Sequence, residues 1–358
     1  MGAADHAREW RACLRRDVLP GLHGHQANAL ADLSFAMAAA GHCHSGRVAA
    51  AAPGPARPAS ARRRLERTLA NPRLRPTRVF RGLARCVAGR LAGRPLRLIL
   101  DETHNGRRLA CLKLSLAYRK RALPIAAECY RRDRPPRRMP ELIRRLLRRA
   151  APALPGGAEV TLLTDRGLTW PAVLDACSEL GWHFVGRVRG STRMRRPDGS
   201  WRPLSEPVPR PGSRWTGRGR AFKKAGGRDV YVTAVWERTC REPWLLVCDR
   251  PGGYRAVRAY AKRFWTEELF RDEKAQGLRW RQSRVAGPAH GARLVALMAL
   301  ATLLAISLGT WALKSGRRRW LEPRRRRGLS VFQLGMRWLH AAIARCLAPP
   351  PGIYLYPT

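Results

Sequence analysis

The sequence predicts an α/β protein: a helical N-terminal region, a strand-and-helix core interrupted by a β-rich insertion, and a basic helical tail. Three observations carry that reading. Residues 1–92 place apolar side chains at helical spacing, as in ADHAREWRACLRRDVL and HQANALADLSFAMAAAG. From residue 93, short apolar runs alternate with amphipathic helical stretches. Residues 191–250 are rich in Pro, Gly, Arg and Trp and hold isolated strand-like runs.

The elements follow in order. Within 1–92, a Pro/Ala-rich break at 50–60 precedes ARRRLERTLANP, a short helix that crowds Arg62, Arg63, Arg64 and Arg67. Arg62 and Arg63 are expected to lie along a nucleic-acid backbone, although a solvated helix face has the same composition. In 93–190, RLILD, LACLKLSLAY and ALPIAAECY read as three successive strands. MPELIRRLLRRA is an amphipathic helix, VTLLTD a strand, TWPAVLDACSELG a helix and HFVGRVR a strand. The stretch 191–250, with DVYVTAVWE and PWLLVCD, is expected to be an inserted β subdomain. Residues 251–315 hold a charged helix, a stop at Gly277 and an apolar helix. Residues 316–358 are a basic helical tail, which could bind DNA, meet a second protomer or stand solvated.

The chemistry concentrates in YAKRFWTEELFRDEK, where Tyr260, Arg263, Glu267 and Lys274 are spaced Y-x-x-R-x-x-x-E-x-x-x-x-x-x-K. On a regular helix these offsets fall at roughly 0°, −60°, −20° and −40°, within one face. Glu268, Asp272 and Glu273 fall roughly 100–140° from Glu267 and should point elsewhere. Asp101 and Asp165 each follow an apolar run, in LRLILDET and VTLLTDRG, and read as strand-tip acids. Open α/β sheets place their chemistry at such ends. A lone Asp after a strand is more often a turn residue. Three carboxylates together, however, form an oxygen-only set suited to Mg²⁺ or Mn²⁺ beside a phosphate backbone.

Composition narrows the partner. Lys plus Arg number 70 against 25 Asp plus Glu, a formal charge of +45. That field attracts polyanions in a salt-dependent way. Only seven of these cations are Lys, and the chain is rich in Ala, Gly and Pro, so a GC-rich coding sequence contributes to the excess. The nine cysteines lack C-x-x-C spacing and read as reduced core residues, and His42-Cys43-His44 has no second ligand pair to make a zinc site. The polar, charged start has no signal-peptide pattern, which gives a cytoplasmic expectation. Leu294–Leu313 is uncharged and long enough to cross a bilayer. Its small and polar residues favour a helix buried in the core.

With these residues in view, the chain resembles the DDE transposases of bacterial insertion sequences, in the subgroup marked by the Tyr–Arg–Glu–Lys signature. The likeness runs through DETHNGRRLACLKLSLAYRKRALPIAAECY, TLLTDRGLTWPAVLDACSELGWHFVGRVRG and YAKRFWTEELFRDEKAQGL. It implies a ribonuclease H-like core, consistent with three strands followed by alternating helix and strand, in which the first and fourth strands are neighbours. It implies that Asp101, Asp165 and Glu267 are the catalytic, metal-binding triad, with two Mg²⁺ or Mn²⁺ ions, and that Tyr260, Arg263 and Lys274 hold DNA phosphates. It further implies cut-and-paste movement of the encoding element, with double-stranded DNA as partner, a homodimer in the DNA complex, no membrane, and a location at the nucleoid. Among Trp201, Trp215, Trp236 and Trp244, one is expected to stack on a base taken out of the duplex. The signature arginine is followed by Phe264 and then Trp265, where the subgroup often has Trp first. A ribonuclease H-like or structure-specific nuclease without strand transfer is the alternative, and a basic membrane-associated protein a further one.

Overall fold

A computed structural model describes residues 2–323, 325 and 327–357. Arg324 and Arg326 of the basic tail lie outside them. The N-terminal region forms α1 (Ala3–Cys13), α2 (Gly24–Ala40), α3 (Ser45–Ala50), α4 (Pro58–Ala70) and α5 (Pro76–Gly89). The core opens with β1 (Leu96–Asn105), β2 (Leu109–Tyr118) and β3 (Arg121–Arg131), followed by α6 (Met139–Ala150), β4 (Val160–Thr164), α7 (Pro171–Glu179) and β5 (His183–Arg187). Next come β6 (Arg193–Arg195), β7 (Trp201–Pro203), β8 (Arg214–Ala221), β9 (Arg228–Val235) and β10 (Trp244–Cys248). The chain ends with α8 (Gly253–Ala261), α9 (Trp265–Arg271), α10 (Pro288–Lys314), α11 (Arg318–Leu321) and α12 (Val331–Ala344).

The ten strands of the described residues join one sheet, in the order β3-β2-β1-β4-β5-β10-β9-β8-β6-β7. The first and fourth strands are parallel neighbours, with Leu96–Leu100 opposite Val160–Thr164. This fits the α/β core of a DDE transposase. Asp101 follows the Leu100–Thr164 pair and Asp165 follows it on the other strand, so register alone sets the two acids side by side. β1 does not end at Asp101, however. It runs on to Asn105, paired only with β2.

The β-rich stretch is a continuation of this sheet. β10 pairs antiparallel with β5, and β9, β8, β6 and β7 extend from it in turn. Its outer strand β8 alternates exposed and half-buried side chains, RWTGRGRA, because only one of its faces meets protein.

The remaining helices are one body with the sheet. The larger apolar core runs from Ala7 to Leu355 and includes α2, α5, α10, α12 and β1–β4, while a smaller one of Ile99, Leu163, Val185, Leu246, Ala256, Tyr260 and Leu269 packs α8 and α9 on the sheet. α10 is almost entirely buried, packed by α2, α12 and β3. This supports the core-helix reading of 294–313. Gly309 of α10 and Gly335 of α12 sit at the crossing, where a Cβ on either would collide with the partner's carbonyl, Val331 O or Ala305 O. The tail is therefore not a solvated appendage: Ile353 and Leu355 are buried, and Arg90 Nε donates to Ile353 O at 3.1 Å.

Candidate active site

Three side chains from three elements converge on one cation. Asp101 is on β1, Asp165 follows β4, and Glu267 is on α9. Arg263 lies in the tight turn that joins α8 to α9. Its Nη1 donates to Glu267 Oε1 at 2.6 Å, while Nη2 lies 3.7 Å from Asp101 Oδ2 and 4.0 Å from Asp165 Oδ2. Nε of Arg263 is buried with no partner. Burial opposes the guanidinium charge, but Asp101, Tyr260, Glu267 and Asp165 outweigh it and hold the group above its ordinary pKa.

Each aspartate divides its two oxygens. Asp101 Oδ1 accepts from Glu102 N at 2.8 Å, leaving Oδ2 toward Arg263. Asp165 Oδ1 accepts from Gly167 N at 3.0 Å and Leu168 N at 3.1 Å, so Asp165 is indeed a turn residue. Its Oδ2 still faces the site, so the turn orients the carboxylate instead of consuming it. Burial pushes Asp101 up to about 6, against the lowering field of Arg263 and with the raising field of Asp165. Thr164 and Thr169 hydroxyls, 2.8 Å apart, lock the Asp165 loop. They fit only because β5 has Gly186 there, where a Cβ would meet Thr169 Cγ2 at 2.5 Å.

The signature segment departs from a regular helix, so its face is not the one that uniform spacing predicts. The turn at 262–264 is tightened, and residues 272–276 form a widened π turn, a feature frequent at functional sites. Arg263 and Lys274 nonetheless lie near the acids. Tyr260 is 1% exposed, wedged beside Trp244 with ring centroids 5.0 Å apart. Burial raises its phenol to about 12. So enclosed, Tyr260 braces the segment against β10. Lys274 is half-buried on the π turn, its ammonium 5.6 Å from the Phe270 ring centroid. Its pKa is lowered by burial first and then by Arg281 and Lys113.

The neighbouring acids point elsewhere, as their spacing predicts. Glu268 meets Arg121 and Arg271, Asp272 accepts from Arg121 Nε at 2.7 Å, and buried Glu273 pairs with buried Lys113. These two buried pairs pin the signature segment to β2 and β3. The sequence reading missed them, although Lys113 inside the apolar run LACLKLSLAY is the signal of a buried counter-charge. Arg62 is exposed and paired with Glu66 at 2.9 Å; Arg63 is exposed. Of the four tryptophans, Trp244 lies at the site. It stacks on Phe264 at 5.6 Å with rings 20° apart, and Phe264 is 38% exposed. Trp236 bonds Cys240 O, while Trp201 and Trp215 sit under Lys223 and Arg196 on the outer strands.

The family model of the transposase DDE domain matches residues 100–304, more than half of the chain. This chain belongs to that family of transposases. A search of curated proteins finds no match. The matched span of the transposase begins one residue before Asp101 and includes Asp165 and Glu267, so it contains the whole constellation.

A divalent ion is implied by that family. Among the described residues, no three His, Cys, Asp or Glu side chains lie close enough together to hold one ion. In this arrangement the guanidinium of Arg263 lies within 4.0 Å of all three carboxylates. The donor chemistry does fit. Three carboxylates against one guanidinium leave two negative charges, and every available donor is a hard oxygen. The transposase residues that would hold Mg²⁺ or Mn²⁺ are Asp101, Asp165 and Glu267.

Proposed function

We propose that this transposase cleaves DNA strands at the ends of its own insertion sequence and joins the released 3′ ends to target DNA, by cut-and-paste, as a member of the Tyr–Arg–Glu–Lys subgroup. The observation that carries this reading is the convergence of Asp101 Oδ2, Asp165 Oδ2 and Glu267 Oε1 on Arg263, just past the last residue pair of the parallel β1–β4 ladder. A bound divalent ion would supply Lewis acidity at the scissile phosphorus and an activated water or 3′-hydroxyl.

The chain's own residues do the positioning. Asp101, held from below by β1, and Asp165, held by its turn, present fixed oxygens. Glu267 is half-exposed and is the adjustable member. Arg263, with its unpartnered Nε, can give donors to a phosphate oxygen and turn away from the acids as it does so. Lys274 brings a second cation to the same backbone and fixes its register. Exposed Phe264, backed by Trp244, offers a π face to an unstacked base near the cut. Arg62 and Arg63 add sequence-independent attraction along the duplex.

The test is incubation of the full chain and Mg²⁺ with a duplex carrying the inverted repeats that flank its gene, together with a target plasmid. Nicking at the repeat ends followed by joined product, both lost in Asp165→Asn, is the expected result. Cleavage of branched DNA or RNA–DNA hybrids with no joined product would replace the proposal with a nuclease. We also place the reaction on cytoplasmic, nucleoid DNA with two protomers in the complex; a protomer count on end-bound complexes checks the latter.

A further inference from the structure

Beside the acids, a solvent-facing cleft of about 690 Å³ is lined by six cations: Arg107, Arg108, Arg132, Lys274, Arg281 and Arg284. Its two walls are the β1–β2 turn and the segment 281–286, tied together by Asn105 Nδ2 donating to Ser283 Oγ at 3.3 Å. Arg132 Nη1 donates to Gly106 O at 3.2 Å and holds the turn in place.

Fewer than half of the described arginines elsewhere on the fold meet carboxylates, and those flanking the acids do so at Arg263 and Arg121. None of these six takes part in an ion pair among the described residues. Like charges gathered without counter-charge are costly unless an anion arrives. The backbone around them is also held in sparsely populated geometry. Arg279 and Arg284 bracket the turn Trp280–Ser283 with φ of 49° and 58°. Wholly buried Trp280, under the Lys113 ammonium, anchors it. Strain of this kind persists where surrounding structure enforces it, commonly at ligand sites.

Distance gives the register. From Asp101 to Asn105 the strand advances about 13 Å, which is roughly four nucleotides of duplex rise. We infer that this cleft takes successive phosphates of the strand leading away from the cut, starting at Lys274, so that Arg281, Arg284 and the β1–β2 turn set where the scissile phosphate sits. The inference rests on the DNA-processing reading above and adds to it a second, non-catalytic phosphate track.

The experiment uses the full chain, a duplex of the element's end, and no divalent metal, so that binding is read apart from chemistry. Arg281 and Arg284 are exposed, and the doubly substituted Arg281→Gln/Arg284→Gln protein is checked by its circular dichroism and melting curve. Arg250→Gln/Arg255→Gln, at residues that line a pocket with Arg97, Glu159 and His183 at the amino ends of β1, β4 and β5, is the control. Log affinity against log salt should lose about 1.8 of its slope in the cleft variant. Neutral methylphosphonate linkages two to five nucleotides from the cut should weaken the wild type and the control but not the cleft variant. An unchanged slope, or methylphosphonate sensitivity that persists in the cleft variant, would overturn the inference. So would binding of inorganic pyrophosphate that depends on Arg281 and Arg284 while DNA binding does not. Failure of the transposition reading shows differently, as absence of Mg²⁺-dependent cleavage by the wild type whatever the binding slopes do.

Discussion

Replacing Arg263 by Gln tests the electrostatics of the site without touching an acid. The guanidinium is 12% exposed and lies 2.6, 3.7 and 4.0 Å from the three carboxylates. At an effective dielectric of about 20, a unit pair near 4 Å interacts by about 4 kcal/mol before desolvation is counted. Removing one member of a buried pair typically costs about 3–5 kcal/mol. Half-exposed Glu267 is screened by water, so the expected loss falls at the low end, about 3 kcal/mol, in urea unfolding of the DNA-free protein. The cause is acid–acid repulsion, and that gives a sharper readout. Adding Asp101→Asn should restore part of the loss, with a coupling of about 1–3 kcal/mol. Mn²⁺ should also raise the melting temperature of Arg263→Gln more than that of the wild type, since the competing cation is gone. Strict additivity of the two substitutions, together with no Mn²⁺ effect, would refute the view that Arg263 neutralises this cluster.

Asp165→Asn should abolish Mg²⁺-dependent cleavage while leaving DNA binding intact, whereas Glu268→Gln, which lies among Arg121 and Arg271, should keep most activity in the same gel assay. Gly186→Ala should force the Thr164–Thr169 contact apart, costing about 1–3 kcal/mol in unfolding and lowering cleavage through the Asp165 loop, with DNA binding retained. Asp272, raised by burial to about 7 against an ordinary 3.8, binds its proton more tightly folded than unfolded. Its contribution to stability is present at low pH and lost as pH rises through about 7. The melting-temperature advantage of wild type over Asp272→Asn should shrink from pH 5 to pH 8, and a flat difference would contradict this. Lys274→Ala should reduce the salt slope of DNA binding by about 0.9 and slow cleavage even at saturating protein.

The sequence alone determined the periodic features. Runs such as LRLIL and VTLLT read as buried strands, and the acid following each marks where their parallel pairing stops, although β1 itself runs on to Asn105. The four-residue spacing of Arg263 and Glu267 brings the two into contact despite the tight turn between α8 and α9. The side-chain period likewise sent Glu268, Asp272 and Glu273 away from the site. Tertiary structure alone decided what depends on encounters between distant segments. Tyr260 looks like a surface phenol in sequence, and only β10, bringing Trp244 against it, encloses it. Lys113 and Glu273 are 160 positions apart, and no local pattern pairs them. The β-rich stretch looked separate because its turns are rich in Gly and Pro, yet β10 returns to β5 and makes one sheet. Arg263 between three acids is of the same kind. Its charge is written in the chain, but its position among carboxylates from β1, β4 and α9 exists only once the strands are in register and the helix is docked, because electrostatic energy depends on distances that sequence separation does not specify.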